Sequence, residues 1–269
     1  MKTRIITGLI LAGLVISAIL AAPFWVVAGI AGIALLGAQA EFYSMHTAMR
    51  RIDRVFGGLC GVLLLTLFAF SPLSQIKDTL VFALPLLLTA CLLEVLFFVQ
   101  PIEKAGNRAM TLVTGLLYVV FLGGFALLLA RDEYGSAGRN ALLTAAAVTW
   151  LGDTMAFFVG KALGRHRLYP TVSPKKTWEG AVGGLVGSVG GAMAVRALFW
   201  SDAPLMQVLS FSIVGSILGQ MGDLVESFFK RSVGIKDSGS VLPGHGGVLD
   251  RIDAFLFVVP LCYLWFFSA

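Results

Sequence analysis

Residues 109–130 read AMTLVTGLLYVVFLGGFALLLA and contain no charged side chain. A helix rises about 1.5 Å per residue, so a stretch of this length reaches about 33 Å. The hydrocarbon core of a bilayer is about 30 Å thick. This stretch therefore predicts a helix that crosses a membrane.

The rest of the chain has the same character. Its 269 residues are 58% apolar and 13% charged, with a mean hydropathy of +0.89. Soluble domains are about 45–50% apolar and about 25% charged, so this composition excludes an ordinary soluble domain. We expect an all-α polytopic membrane protein. The apolar runs predict nine spans, at about 5–22, 24–41, 55–71, 79–99, 109–130, 141–160, 178–199, 206–226 and 252–268.

The basic residues predict the orientation of these spans. With nine spans, all Lys and Arg except Lys77, Arg131, Arg139 and Arg196 fall on the side of the N-terminus, which is 16 of the 20. Cytoplasmic loops carry an excess of Lys and Arg, so this side is predicted to be the cytoplasm. We expect a multi-pass protein of the cell (inner or plasma) membrane with no nucleic-acid partner. We expect N-terminal helices over 1–140 and a catalytic unit over 141–269.

Small residues recur at helical spacing in the second half of the chain. Gly160 and Gly164 are four residues apart, and so are Gly183, Gly187 and Gly191. Such spacing lets helix backbones approach closely in lipid. We expect these glycines to pack helices of the same chain, with a dimer interface as the alternative.

Two polar segments near the predicted cytoplasmic face contain carboxylates at membrane depth. Asp153 begins the first segment, Asp223 begins the second, and Asp250 and Asp253 end it. A charged side chain near the centre of a spanning helix costs about 2.5–3.5 kcal/mol, so such residues mark functional sites unless a cation compensates them. Asp250 and Asp253 are three residues apart and share one helix face. Carboxylates beside water suit Mg²⁺, which completes its shell with phosphate and water.

The same two segments contain cations and glycines that suit a phosphate. Gly244, Gly246 and Gly247 surround His245, and glycine backbone exposes N–H groups to an anion. His245 either packs or caps, or it donates to a phosphate oxygen or ligates the metal. Cations beside a metal site indicate a polyphosphate ligand. The cations in question are Lys175, Lys176, Lys230, Arg231, Lys236 and Arg251.

The motifs resemble those of the phosphatidate cytidylyltransferases, also called CDP-diacylglycerol synthases. The pattern Ser227-x-Phe-Lys230-Arg231, Lys236-Asp237-x-Gly239 and Leu242-Pro243-x-His245-Gly246-Gly247-x-x-Asp250-Arg251-x-Asp253 is similar to the family signature without a departure. Residues 152–154 and 173–180 also resemble that family, so the likeness covers about 150–255. The resemblance implies an all-helical membrane enzyme that forms a homodimer. It also implies the conversion of CTP and phosphatidate into CDP-diacylglycerol and pyrophosphate with Mg²⁺.

This reaction assigns roles to the residues. A phosphomonoester is largely dianionic at neutral pH, so no general base is needed, and the barrier is electrostatic. We predict Asp223 and Asp250 as the leading metal ligands, with Asp153 and Asp253 either supporting those ligands from behind or binding a second metal ion. The expected catalytic residues are Asp223, Asp250, Lys230, Arg231, Lys236, His245 and Arg251, and the expected substrate-binding residues are Ser173, Lys175, Lys176, Thr177, Asp237, Gly246 and Gly247.

Two other functions remain open at this point. A CTP-dependent transferase or kinase acting on a polyprenyl or other lipid would use similar residues. A transporter would use intramembrane acids to relay protons or bind a cation. The acids cluster at one face beside lysines and no inverted repeat is visible, which disfavours transport.

Overall fold

The computed structural model describes residues 2–98, 101–239 and 246–267. Its long elements are helices, in agreement with the all-α polytopic fold predicted from composition. The stretch 109–130 is one continuous helical rod in which a π-helical turn, Gly115–Phe121, joins two α-helices. The α-helices are α1 Lys2–Ala21, α2 Phe24–Met45, α3 Arg51–Phe70, α4 Ile76–Phe97, α5 Ala105–Thr114, α6 Leu122–Ala130, α7 Gly135–Leu163, α8 Trp178–Phe199, α9 Leu205–Ser232 and α10 Leu249–Phe267.

Seven helical segments of the described residues are long and apolar enough to cross a membrane. They are Phe24–Met45, Arg51–Phe70, Leu73–Phe97, Ile102–Ala130, Asp132–Leu163, Trp178–Phe199 and Leu205–Ser232. Within the part of α1 whose side chains the structure describes, Ala12–Ala21 is an apolar stretch, and α10 carries three charged residues in its first five. The helices coincide with the nine predicted spans, although the number that cross the membrane stays a prediction.

The helices form two compact units. Unit 1 contains Met1–Phe24, Leu129–Lys236 and Arg251–Ala269, and unit 2 contains Trp25–Leu128 and Asp237–Asp250. The predicted division at residue 140 stays a prediction. In unit 1, α1 packs on α7, where Arg139 Nη1 donates to the carbonyl of Leu20 at 3.5 Å.

Unit 2 contains a buried ion pair that joins two of its helices. The Asp53 carboxylate of α3 accepts from Arg108 of α5 at 2.6 and 2.8 Å. Both side chains are almost inaccessible to solvent, and Arg50 donates to the same carboxylate. A charge buried without its partner costs several kcal/mol, so removing either member should destabilise this unit.

Unit 1 is built on a close contact between α7 and α8. A Cβ added at Gly183 would lie 2.5 Å from Val159 Cβ, and one added at Gly187 would lie 2.6 Å from Leu151 O and Met155 Cβ. Gly180 likewise faces Gly160. These glycines pack two helices of the same chain, as predicted, because only a missing side chain lets the backbones approach this closely.

The polar segments are more helical than the sequence suggested. Asp153 lies ten residues before the end of α7 and Asp223 nine residues before the end of α9, so helical backbone fixes both. Between α7 and α8 the chain forms an antiparallel hairpin of β1 Arg167–Tyr169 and β2 Ser173–Thr177.

The predicted topology has a direct test. A cysteine introduced at Lys77 should react with an impermeant thiol reagent in intact cells. Cysteines at Arg51 and Lys236 should react only after the cells are opened, because the basic loops are predicted to face the cytoplasm. All three side chains are exposed, and the native Cys60, Cys91 and Cys262 are buried, so background labelling should be low. Labelling at position 236 in intact cells would contradict the predicted orientation.

Candidate active site

Three carboxylates converge where α9 meets the start of α10. Oxygen atoms of Asp223, Glu226 and Asp253 lie within 4.8 Å of one another. Asp223 and Glu226 are three residues apart on α9 and therefore share one face of that helix. Glu226 is fully buried and Asp253 is 8% exposed. Three ionised groups this close repel one another, so neighbouring cations would stabilise their charged forms.

Two lysines supply part of that positive charge. Lys230 forms an ion pair with Glu226 one helical turn earlier, and Lys176 Nζ lies 2.5 Å from Asp223 Oδ2. Lys230 is buried, while Lys176 and Asp223 are each about a quarter exposed. Ion pairs with limited solvent access are weakly screened. The two lysines thus contact two of the three carboxylates directly.

Asp153 of α7 extends this charged cluster. Its carboxylate interacts electrostatically with Asp223, Lys176 and Arg251. Asp153 and Asp223 also act on Asp253. Lys176, Lys230 and Arg251 offset three of the four negative charges that Asp153, Asp223, Glu226 and Asp253 carry when ionised. We call these seven residues the carboxylate cluster.

The hairpin determines which lysine enters the cluster. Successive side chains of a strand point to opposite faces, so Lys175 and Lys176 diverge. Lys176 pairs with Asp223, and Lys175 is exposed. Arg231 Nε donates to Val172 O at 3.3 Å, which ties the hairpin to the end of α9. Ser173, also on β2, is half-buried.

The junction between β2 and α8 is fixed by side-chain caps. The Thr177 hydroxyl accepts from Gly180 N at 3.1 Å, which satisfies one of the free N–H groups at the start of α8. Glu179 accepts from the backbone N–H groups of Arg165 and His166. Thr177 is buried in this role, and its predicted contact with substrate stays a prediction.

Unit 2 holds the other predicted carboxylate, Asp250. Its oxygens accept from Ser238 N at 3.1 and 3.2 Å and from Gly247 N at 2.7 Å. Gly246 has φ +79°, a left-handed conformation that favours glycine. Asp237 is exposed. The structure therefore shows Asp250 as an acceptor of backbone N–H groups within its own unit.

The predicted site residues are divided between the units. The structure brings together Asp153, Asp223 and Asp253 with Lys176, Lys230 and Arg251. His245 lies outside the described residues. Unit 1 also carries Ser173, Lys175, Thr177, Arg231 and Lys236, and unit 2 carries Asp237, Gly246, Gly247 and Asp250.

Glu226 was not among the predicted ligands. A signal was present, because Glu226 follows Asp223 by three residues and precedes Lys230 by four, the spacings at which helical side chains meet. Its burial beside Lys230 could not be inferred from spacing alone.

The cluster has the donor chemistry of a cation site. All of its anionic ligands are carboxylate oxygens, which bind hard divalent cations in preference to soft metals. The carboxylates come from different helices, α7, α9 and α10, so the site depends on the packing of unit 1. These oxygens fit a metal ion that would also contact phosphate.

Comparison with known proteins gives a match over nearly the whole sequence. The family model described as Cytidylyltransferase family matches residues 2–269. Proteins named phosphatidate cytidylyltransferase are similar to part of the chain. One from Staphylococcus saprophyticus is 48% identical over 129 residues, which is 48% of this chain and 50% of that protein. One from Staphylococcus haemolyticus is 50% identical over 128 residues, 47% of this chain and 48% of that protein. The aligned part thus spans about half the length of these curated relatives.

Proposed function

Because the chain belongs to the cytidylyltransferase family, we propose that it transfers CMP from CTP to phosphatidate, giving CDP-diacylglycerol and pyrophosphate. The observation that carries this proposal is the carboxylate cluster, in which Lys176 and Lys230 lie against Asp223 and Glu226. Such a site suits a reaction between two phosphates in a protein with membrane-spanning helices.

The proposed chemistry is a displacement at phosphorus. A phosphate oxygen of phosphatidate forms a bond to the α-phosphorus of CTP, and the bond between that phosphorus and the bridging oxygen to the β-phosphate breaks. Pyrophosphate leaves with the electron pair. The second pKa of a phosphomonoester is about 6, so the attacking group is largely dianionic at neutral pH and no side chain has to remove a proton.

The main requirement is to lower the repulsion between the two anions. Two unit charges 4 Å apart repel by about 4 kcal/mol at an effective dielectric of 20. Lys176 has its Nζ buried against Asp223 and its side chain about a quarter exposed, so we assign it to the neutralisation of phosphate charge at the edge of the cluster. Lys230 is buried and holds Glu226, so we assign it mainly to the alignment of the carboxylates.

We propose that the metal is Mg²⁺. When bound it would neutralise phosphate charge and orient the triphosphate. Asp223, Glu226 and Asp253 would hold the ion. The proximity of their carboxylate oxygens, within 4.8 Å of one another, supports this assignment. Asp153, whose charge acts on Asp223 and Asp253, would support these ligands or hold a second ion. Asp250 stays a predicted metal ligand, and the variant Asp250→Asn tests this assignment.

The remaining assignments follow from the family and the charge distribution. We propose a homodimer whose active site faces the cytoplasm, where CTP is available. Arg231 and Lys236 lie at and just beyond the end of α9, and Lys175 is exposed on the hairpin, so these cations suit the triphosphate or the lipid phosphate.

A labelling experiment separates this function from its rivals. Detergent-purified protein is incubated with phosphatidate, a polyprenol or other lipid alcohol, Mg²⁺ and CTP labelled at either the α- or the γ-phosphate. CMP transfer puts only the α-label into lipid and the γ-label into pyrophosphate. A CTP-dependent lipid kinase puts only the γ-label into a lipid alcohol. If neither label reaches lipid and the protein conducts protons or cations in vesicles, it is a transporter and our proposal fails.

A further inference from the structure

A buried carboxylate of the N-terminal half, Glu41, has no role in the function described so far. It lies in the last turns of α2 and is 7% exposed. An ionised group next to an apolar helical span is costly unless it is compensated, and its retention indicates a specific task. The described contacts of its carboxylate are with one segment of unit 2, Asp237–Asp250.

Glu41 accepts hydrogen bonds from both ends of that segment. Its Oε1 accepts from Val248 N at 2.9 Å, and its Oε2 accepts from Leu249 N at 2.9 Å. The Ser238 hydroxyl donates to Oε2 at 3.0 Å. The first N–H groups of a helix lack partners within the helix and carry partial positive charge, so a carboxylate at the start of α10 is well placed.

Two glycines of the segment fit closely against the same carboxylate. A Cβ added at Gly239 would lie 2.7 Å from Glu41 Oε1, so any side chain at this position would displace the carboxylate. A Cβ added at Gly247 would meet Ser238 Oγ and Glu41 Oε2. The backbone therefore approaches Glu41 at two places that are eight residues apart in sequence.

Asp250 binds the same segment through other groups. It accepts from the backbone N–H of Ser238 and of Gly247, whereas Glu41 accepts from the Ser238 hydroxyl and the next two N–H groups, those of Val248 and Leu249. Two carboxylates thus hold residue 238 next to residues 247–249. Glu41 is the one supplied by a distant part of the sequence.

We infer that Glu41 is a positioning residue that holds Ser238 and Gly239 next to residues 247–249, in the arrangement needed for the reaction. The functional part of this inference rests on the proposed CMP transfer, because Asp237, Gly246 and Gly247 are its predicted substrate-binding residues. Glu41 itself acts through the segment and does not contact the reacting atoms.

The test replaces Glu41 by Gln, which keeps the size of the side chain but replaces one acceptor oxygen by a donor. We expect faster hydrogen–deuterium exchange in peptides covering 237–250 and unchanged exchange in α3. The kcat for CMP transfer should fall about tenfold to a hundredfold, since a misplacement of about 1 Å can cost about a hundredfold. Glu103→Gln is the matched control, because Glu103 is an exposed residue of the same unit, and it should behave as the wild type.

The outcomes separate a positioning role from a merely structural one. Glu41→Asp keeps the charge with a shorter reach and should recover part of kcat. If Glu41→Gln unfolds the protein, the variants Glu41→Asp and Ser238→Ala take its place in the test. The inference then requires that each of these variants folds, exchanges faster at 237–250 and has a lower kcat than the wild type. Wild-type kcat or wild-type exchange at 237–250 in the folded variants would overturn it. If the wild type itself transfers no CMP, the proposed function fails, while the exchange measurement still tests the hold of Glu41 on the segment.

Discussion

Asp223→Asn is expected to lower turnover of CTP at least about a hundredfold. The substitution is nearly isosteric and leaves an oxygen, but it removes one charge from the carboxylate cluster and the ion pair of Asp223 with Lys176. Loss of one contact to developing charge typically costs about 10²–10³ in rate. The activity that remains should require a higher Mg²⁺ concentration, which a titration of Mg²⁺ in the α-label assay measures.

Parallel variants show which carboxylates hold the metal. Asp253→Asn should resemble Asp223→Asn, because the two side chains share the cluster.

Asp250→Asn is also expected to lower turnover about a hundredfold or more, as the sequence predicts for a metal ligand. A raised Mg²⁺ requirement identifies a ligand, whereas a fall in kcat at an unchanged Mg²⁺ requirement would show that Asp250 acts only through its bonds to Ser238 and Gly247. Asp202→Asn, at an exposed position of unit 1, is the control. Normal turnover of Asp223→Asn at the same Mg²⁺ concentration would refute the metal assignment.

Lys176→Gln is expected to lower kcat at least about tenfold while the protein still inserts and folds. The amide keeps most of the length of the side chain but cannot neutralise Asp223 or a phosphate, and removal of such a charged contact costs about 10²–10³ in the strongest cases. Lys236→Gln should also lower activity, since its charge lies beside the predicted substrate-binding Asp237. Extraction yield and thermal stability in detergent check that folding is preserved.

Arg165→Gln is the comparison for these lysines, because Arg165 is exposed and its described hydrogen bond to Glu179 uses the backbone N–H. It should have the smallest effect of the three. Equal losses at positions 165, 176 and 236 would mean that the positive surface charge acts generally on folding or lipid binding, and the specific role of Lys176 would be wrong.

Much of the fold could be predicted because lipid imposes a simple rule. A backbone in hydrocarbon must satisfy its own hydrogen bonds, so an apolar stretch such as 109–130 has to be helical. The glycines at 183 and 187 were correctly interpreted as packing positions for the same reason, since spacing along a helix identifies one face. The hairpin at 167–177 was not predicted, because its short polar strands carry no apolar periodicity.

The sequence by itself determined that this chain is an all-helical membrane protein, and its motif spacing led to the cytidylyltransferase family. Such properties depend on local composition and on residues close together in the chain. Only the tertiary structure showed that Lys176 rather than Lys175 meets Asp223, that Glu226 joins Asp223 and Asp253, and that Glu41 reaches a segment about 200 residues away. Those contacts depend on how helices pack against one another and on which face of a strand or helix turns inward. Spacing along the sequence limits these choices but does not select among them, because many packings satisfy the same apolar pattern.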